Sequence, residues 1–261
     1  MIVRLLLVSL LFLNLGNFSK KDVSVSATSA ILISPWAKRI IYSKNIHTKL
    51  PPASTTKILT ALVVIKNSHL KKKVGISKFA SSIEPSKIHV KQGELYYTED
   101  LLKALLLNSG NDASIALAES IAGSEEAFAV MMNELAGKLG AKNTNFKNSN
   151  GLPANDQYST AYDLALIVRE AMKNKKFVEI MNTKTSEISE ITTGRKIKLK
   201  NHNKSLWKER PYLIVGKTGY TKKARHCFAG YIQYNRWKKV IVVILGGTKL
   251  WDNLDALAGS N

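Results

Sequence analysis

A chain of 261 residues is long enough for one large domain, or two closely packed halves, around a protected core. With 45% hydrophobic and 22% charged residues, its composition excludes an intrinsically disordered chain. Lys plus Arg outnumber Asp plus Glu by 39 to 19, yet only seven of the basic residues are arginine. That scattered lysine charge disfavours nucleic-acid readout and suits a solvated surface attracted to anionic envelope polymers or lipid headgroups.

The chain opens MIVRLLLVSLLFLNLG, with Arg4 followed by an almost unbroken apolar run from Leu5 to Leu15. The run is shorter than the ~20 residues of a spanning helix and has the form of a secretory signal core. Residues 1–22 are therefore expected to be a signal peptide or retained N-terminal anchor, and the protein to be exported to a periplasmic or other extracytoplasmic site. Cys227 is the only cysteine, which rules out an intrachain disulfide framework and reads as a small buried hydrophobe in a strand.

SAILIS (Ser29 to Ser34) and KRIIYS (Lys38 to Ser43) are β-prone runs on either side of Pro35-Trp36-Ala37 and predict a hairpin. Pro51-Pro52 breaks the chain before a helix opening near Ser54, with Ile58, Leu62 and Ile65 at helical spacing. From about Asn67 to Lys184 the pattern is mostly helical: stripes run through Leu101, Leu102, Leu105 and Leu106, and through Ala113, Ala116, Leu117 and Ile121. Ser124 and Thr160 look like N-caps, and Gly140 like a helix end. The last third changes period. TSEISEI and KIKLK predict a hairpin around Thr193-Gly194-Arg195, Ile214 to Gly216 a short strand, and HCFAGYIQY and VIVVILGG a pair of strands. VIVVIL is apolar on both alternating sets, as a strand covered on both faces requires. Trp251 to Ala258 predicts a terminal helix. The fold class is α+β: an antiparallel sheet built from both ends of the chain, with a helical insertion between them.

Ser-x-x-Lys occurs at Ser54/Lys57, Ser68/Lys71 and Ser205/Lys208, but only Ser54 stands at a helix entrance. A serine there can serve as a cap, although a capping box would place Glu or Gln where Lys57 sits. A lysine one turn on reaches the serine oxygen, and burial near further positive charge would lower its pKa until it accepts the serine proton. The free N–H groups at the helix start would stabilise a developing oxyanion. Two more motifs follow. Ser109-Gly110-Asn111 lies at the break between two helical stripes, where a plain turn would favour the same residues. Lys217-Thr218-Gly219 lies where a strand runs into its turn. The five histidines show no metal-ligand spacing, so no metal or other cofactor is expected.

These three motifs, in this order, together with PPASTTK, LLLNSGNDAS, NGLP…YSTAYDLA and GKTGYT, resemble the low-molecular-mass penicillin-binding proteins, specifically the serine D-alanyl-D-alanine carboxypeptidases of peptidase family S11. The resemblance implies a β-lactamase/DD-peptidase-like fold, with an antiparallel sheet flanked by helices, an inserted helical subdomain and the active site in the groove between them. Residues 27–261 would form the catalytic domain, its sheet part at 27–66 and 184–261 and its helical part at 67–183, without the C-terminal β-domain of longer members. The implied reaction removes the terminal D-alanine from peptidoglycan stem pentapeptides through an acyl-enzyme on Ser54. Lys57 would take the serine proton and Ser109 would relay a proton to the departing D-alanine. Lys217 and Thr218 would hold the substrate's terminal carboxylate, Asn111 would bind its peptide amide, and Gly219 and Tyr220 would belong to the same substrate-binding set. The backbone N–H groups of Ser54 and Tyr220 would form the oxyanion hole, with Tyr220 standing where many relatives carry His. β-Lactam antibiotics would act as covalent inhibitors. The rival readings are D,D-endopeptidase action on cross-linked peptides, class A-like β-lactamase, and a non-enzymatic wall-binding protein of the same fold. A class A enzyme would need a Glu-x-x-x-Asn loop, and NGLPANDQYSTAYDLA stands in its place.

Overall fold

A computed structural model describes residues 23–36 and 39–259. The apolar N-terminal run read as an export signal lies outside the described residues. Five strands, β1 (Ser29–Ile33), β2 (Ile40–Lys44), β7 (Leu213–Thr221), β8 (Arg225–Gln233) and β9 (Lys239–Gly247), form one antiparallel sheet in the order β2-β1-β9-β8-β7. The N-terminal hairpin joins the C-terminal meander through β1 and β9, where Leu32 faces Val242.

Side-chain alternation along these strands divides the apolar residues between two cores. Ile31, Ile33, Val215, Ala229, Tyr231, Ile241, Val243 and Leu245 point into the larger one, shared with α1 (Lys57–Asn67) and α6 (Ala161–Ala171). Ala30, Leu32, Ile214, Phe228, Ile232, Val240, Val242 and Ile244 point to the other face, where α8 (Leu250–Ala258) covers them with Leu250, Leu254 and Leu257. The two alternating sets of VIVVIL thus serve different cores, as the run predicted.

Between β2 and β7 the chain builds the helical layer. Its members are α1, α2 (Lys78–Ser82), α3 (Thr98–Leu107), α4 (Asn111–Ala122), α5 (Glu125–Lys138), α6 and α7 (Lys175–Asn182). Ser124 and Thr160 cap α5 and α6 by accepting from Ala127 N and Asp163 N. Gly140 follows α5 at φ 85°, a conformation that glycine adopts without steric cost. The stretch from Asn67 to Lys184 is not uniformly helical, because β3 (Lys73–Gly75) and β4 (Leu95–Tyr97) pair across it as a ribbon. Strands of three residues are too short for an alternating pattern to register in sequence.

The predicted hairpin forms as β5 (Thr185–Ser189) and β6 (Lys196–Lys200), a separate two-stranded ribbon outside the main sheet. Glu190 organises its turn, accepting from Thr192 N at 2.8 Å and Thr193 Oγ1 at 2.7 Å. Its other oxygen takes Leu95 N of β4 at 3.0 Å. β7 runs well past the Ile214–Gly216 stretch expected from sequence. It continues through Lys217-Thr218-Gly219 to Thr221 because β8 supplies a partner for every residue. Cys227 is fully buried on β8, and burial pushes its thiol up to about 11, which leaves it inert as a nucleophile.

Candidate active site

Ser54 lies in a 3-10 turn (Ala53–Thr56) that leads directly into α1. No side chain caps the turn or the helix, so the Ser54 hydroxyl is not used as a cap. Ala53 just before it has φ 47°, a left-handed conformation unusual for a residue with a side chain. Two glycines make that geometry possible. A Cβ on Gly151, at φ 85°, would lie 2.0 Å from Ala53 O, and one on Gly219 would lie 2.9 Å from Ser54 N. The glycine of Lys217-Thr218-Gly219 therefore lets β7 come close to the Ser54 N–H.

Lys57, one helical turn on, is completely buried, and its Nζ lies 3.1 Å from Ser54 Oγ. The same nitrogen donates to Asn111 Oδ1 and Asn150 O, both at 2.7 Å. All three acceptors are neutral. Burial and then the nearby Lys217 charge hold the Lys57 amine well below the ordinary lysine range, against opposing pulls from Glu125 and Asp112. A lysine that gives up its proton this readily, within reach of a serine hydroxyl, is a competent general base.

Ser109 occupies the break between α3 and α4 at φ 60°. Asn111 starts α4 and is buried. Besides accepting from Lys57, it donates through Nδ2 to the carbonyls of Pro85 and Glu84. Its side-chain amide is thus engaged inside the protein and orients Lys57. Asp112 accepts from Ile88 N at 2.9 Å and Val90 N at 3.3 Å, fixing the loop that carries Ser86. Lys217 is buried, donates to Thr218 O at 2.9 Å, and is brought down to about 7 by burial.

These elements enclose a cavity of about 340 Å³ lined by Ser54, Ser86, Ser109, Thr218, Gly219 and Tyr220, with His202, Lys204, His226, Leu250 and Trp251 at its margins. The Tyr220 ring is 60% exposed and packs on His226 with centroids 4.7 Å apart. Lys57 and Lys217 stand buried behind the wall. Of the two other Ser-x-x-Lys copies, Ser68 follows the end of α1 and Ser205 is buried in a 3-10 turn, both apart from the cavity lining.

The D-alanyl-D-alanine carboxypeptidase family model, Peptidase_S11, matches residues 17–249. The chain belongs to this family. Among curated carboxypeptidases of the D-alanyl-D-alanine class, DacF of Bacillus subtilis is 36% identical over 88% of this chain and 62% of its own length. DacD of Escherichia coli is 32% identical over 88% and 60%. The chain thus spans about three fifths of those relatives. Two solved structures share the fold over 91% of this chain. One is the D-alanyl-D-alanine carboxypeptidase of Mycobacterium tuberculosis H37Rv (TM-score 0.84, 28% identity, 91% of that chain). The other is a single-site mutant of the Streptomyces K15 DD-transpeptidase (TM-score 0.84, 29% identity, 98% of that chain). These are DD-peptidase folds.

Sequence reasoning about this carboxypeptidase-family site missed Asn150, whose carbonyl holds Lys57, and His202 on the cavity wall. NGLP contains Asn150 but entered only as part of the resemblance, with no role for that residue. His202 carried no motif. Crowding by surrounding protein, and then the Lys217 and Lys57 charges, draw its imidazole down to about 4, so it stands neutral beside the two lysines. Glu125 and Ser149 were missed as well.

Proposed function

We propose that the protein is a serine D-alanyl-D-alanine carboxypeptidase acting on peptidoglycan stem peptides through an acyl-enzyme on Ser54. The observation that carries this is the 3.1 Å approach of a buried, proton-poor Lys57 to Ser54 Oγ at the cavity wall. Lys57 Nζ takes the Ser54 proton as Oγ attacks the carbonyl between the two terminal D-alanines. The carbonyl oxygen becomes an oxyanion held by the N–H groups of Ser54 and Tyr220. Collapse expels D-alanine, whose amine takes a proton by way of Ser109. Water then attacks the ester, giving a proton to the neutral Lys57, and that proton passes to Ser54 Oγ as the ester C–O bond breaks and the shortened peptide leaves as its carboxylate. Thr218 receives the substrate's terminal carboxylate at the cavity wall, and buried Lys217 behind it attracts that carboxylate as a charge, which favours the ammonium form of a lysine titrating near 7. Asn111 serves this scheme by orienting Lys57.

No Asp or Glu lines the cavity among the described residues, which supports slow hydrolysis of an acylated penicillin over class A-like turnover. The fold shared with the Streptomyces K15 DD-transpeptidase favours a second reading, in which an amine acceptor competes with water for the acyl-enzyme. Release of D-alanine from a pentapeptide, with and without a glycine-type acceptor, separates the two. Water-limited release independent of acceptor is the expected result, and transfer product as the main species favours the transpeptidase. A matched cross-linked substrate gives the endopeptidase share. Export and attraction of the lysine-rich surface to anionic envelope polymers complete the proposal. No helix among the described residues is long and apolar enough to cross a membrane.

A further inference from the structure

Acidic side chains are scarce in this chain, 19 against 39 basic ones, and one of them sits behind the base. Glu125 is in the first turn of α5, where a glutamate usually faces solvent and complements the helix dipole, as exposed Glu126 does. Glu125 is half-buried and turns inward. Its Oε1 accepts from Ser149 Oγ and from Ser149 N at 3.3 Å. Ser114 Oγ donates to Ser149 Oγ at 2.7 Å, and Thr60 Oγ1 donates to Ser149 O at 2.6 Å. Ser149, Ser114 and Thr60 are all fully buried. The very next carbonyl, Asn150 O, is one of the three acceptors on Lys57 Nζ. A single carboxylate thus anchors the segment that presses against the lysine. Burial raises its pKa above the usual glutamate value, and the like charges of Glu126 on α5 and Glu119 on α4 add to that rise.

We propose that Glu125 is a positioning residue for Lys57: through Ser149 it seats the Asn150 carbonyl on the lysine, and it supplies negative charge opposite the ammonium. The inference rests on the reading of Lys57 as the base for Ser54. The charges facing Lys57 are Lys217 from β7, Asp112 from α4 and Glu125 from α5, with neutral His202 nearby. Asp112, next to Asn111, is committed to the backbone N–H groups of Ile88, Val90 and Ala113, whereas Glu125 holds the segment that carries the Asn150 carbonyl.

Glu125→Gln keeps an acceptor for Ser149 and removes the charge. Lys57 should then lose its proton more readily, so the acid limb of the pH profile for acylation by a fluorescent penicillin moves down by on the order of one pH unit. Ser149→Ala keeps the charge and breaks the hydroxyl link. Its maximal acylation rate should fall about tenfold with the limb in place. An unmoved limb in Glu125→Gln, or an equal movement in exposed Glu126→Gln, overturns the inference. The Lys57 ε-carbon resonance, titrated by 13C NMR in the unliganded protein, tests it without any reaction. A lower titration point in Glu125→Gln than in the parent sustains the positioning role even if no penicillin adduct forms, an outcome that would sink the proposed function alone. Equal titration points with normal adduct formation sink the positioning role alone. If Glu125→Gln fails to fold, Glu125→Asp retains the charge but withdraws it from Ser149. It must slow acylation without moving the limb, and an unchanged rate overturns the seating role.

Discussion

Lys57 and Lys217 repel each other as ammonium groups, and the proposed mechanism needs them in opposite protonation states. In that scheme Lys57 is neutral to accept the Ser54 proton, and Lys217 is charged to attract a carboxylate. Burial lowers both, Lys217 to about 7. Acylation by a carboxylate-bearing penicillin should therefore follow a bell-shaped pH profile, its alkaline limb reporting loss of charge from Lys217, with apparent values belonging to the pair. A rate that climbs steadily to pH 10 would contradict the assignment.

The same burial has a stability consequence. Lys217 titrates near 7 in the fold and near 10.5 in the unfolded chain, so the unfolded chain binds more protons throughout that window. Stability should rise with pH between those values. In Lys217→Met the rise should shrink, and the variant should be about 1–2 kcal/mol more stable than the parent at pH 7, while acylation is largely lost. Thermal melts at pH 7 and pH 9 measure both effects.

Among the elements, the glycines next to Ser54 do the fine positioning. A methyl group on Gly219 would push β7 away from the Ser54 N–H, so Gly219→Ala should lower penicillin acylation about 10²-fold with little change in melting temperature. Gly151→Ala meets Ala53 O at 2.0 Å on a backbone at φ 85°, and should cost about 3 kcal/mol or more in denaturant unfolding. Sequence signalled these glycines through their motifs but not their task, because close approach between segments about 100 or more residues apart leaves no periodic trace. The helix stripes and the caps at Ser124 and Thr160 were legible because capping and periodicity are local. The Glu125–Ser149 contact was not. A first-turn glutamate has a sufficient local explanation in the helix dipole, and only the tertiary fold shows it turned inward.

Across the whole molecule, the two-faced VIVVIL strand and the change of period along the chain were enough to place an antiparallel sheet assembled from both termini around a helical insertion. The separate β5-β6 ribbon was legible as a hairpin, but nothing in its sequence says which sheet it joins. The formal charge of +20 belongs to this scale too. Retention on vesicles with anionic headgroups should be strong at about 50 mM salt and largely lost by about 300 mM as the Debye length shortens. Salt-independent retention would point instead to apolar insertion.

The central claim is that Ser54, activated by Lys57, is an acylating nucleophile. Intact-mass and peptide-level mass spectrometry of the folded protein after incubation with a penicillin tests it most directly. One stable adduct per chain, located on Ser54 and absent from Ser54→Ala, is the predicted result. A folded protein that takes up no adduct, or an adduct that persists in Ser54→Ala, would contradict it.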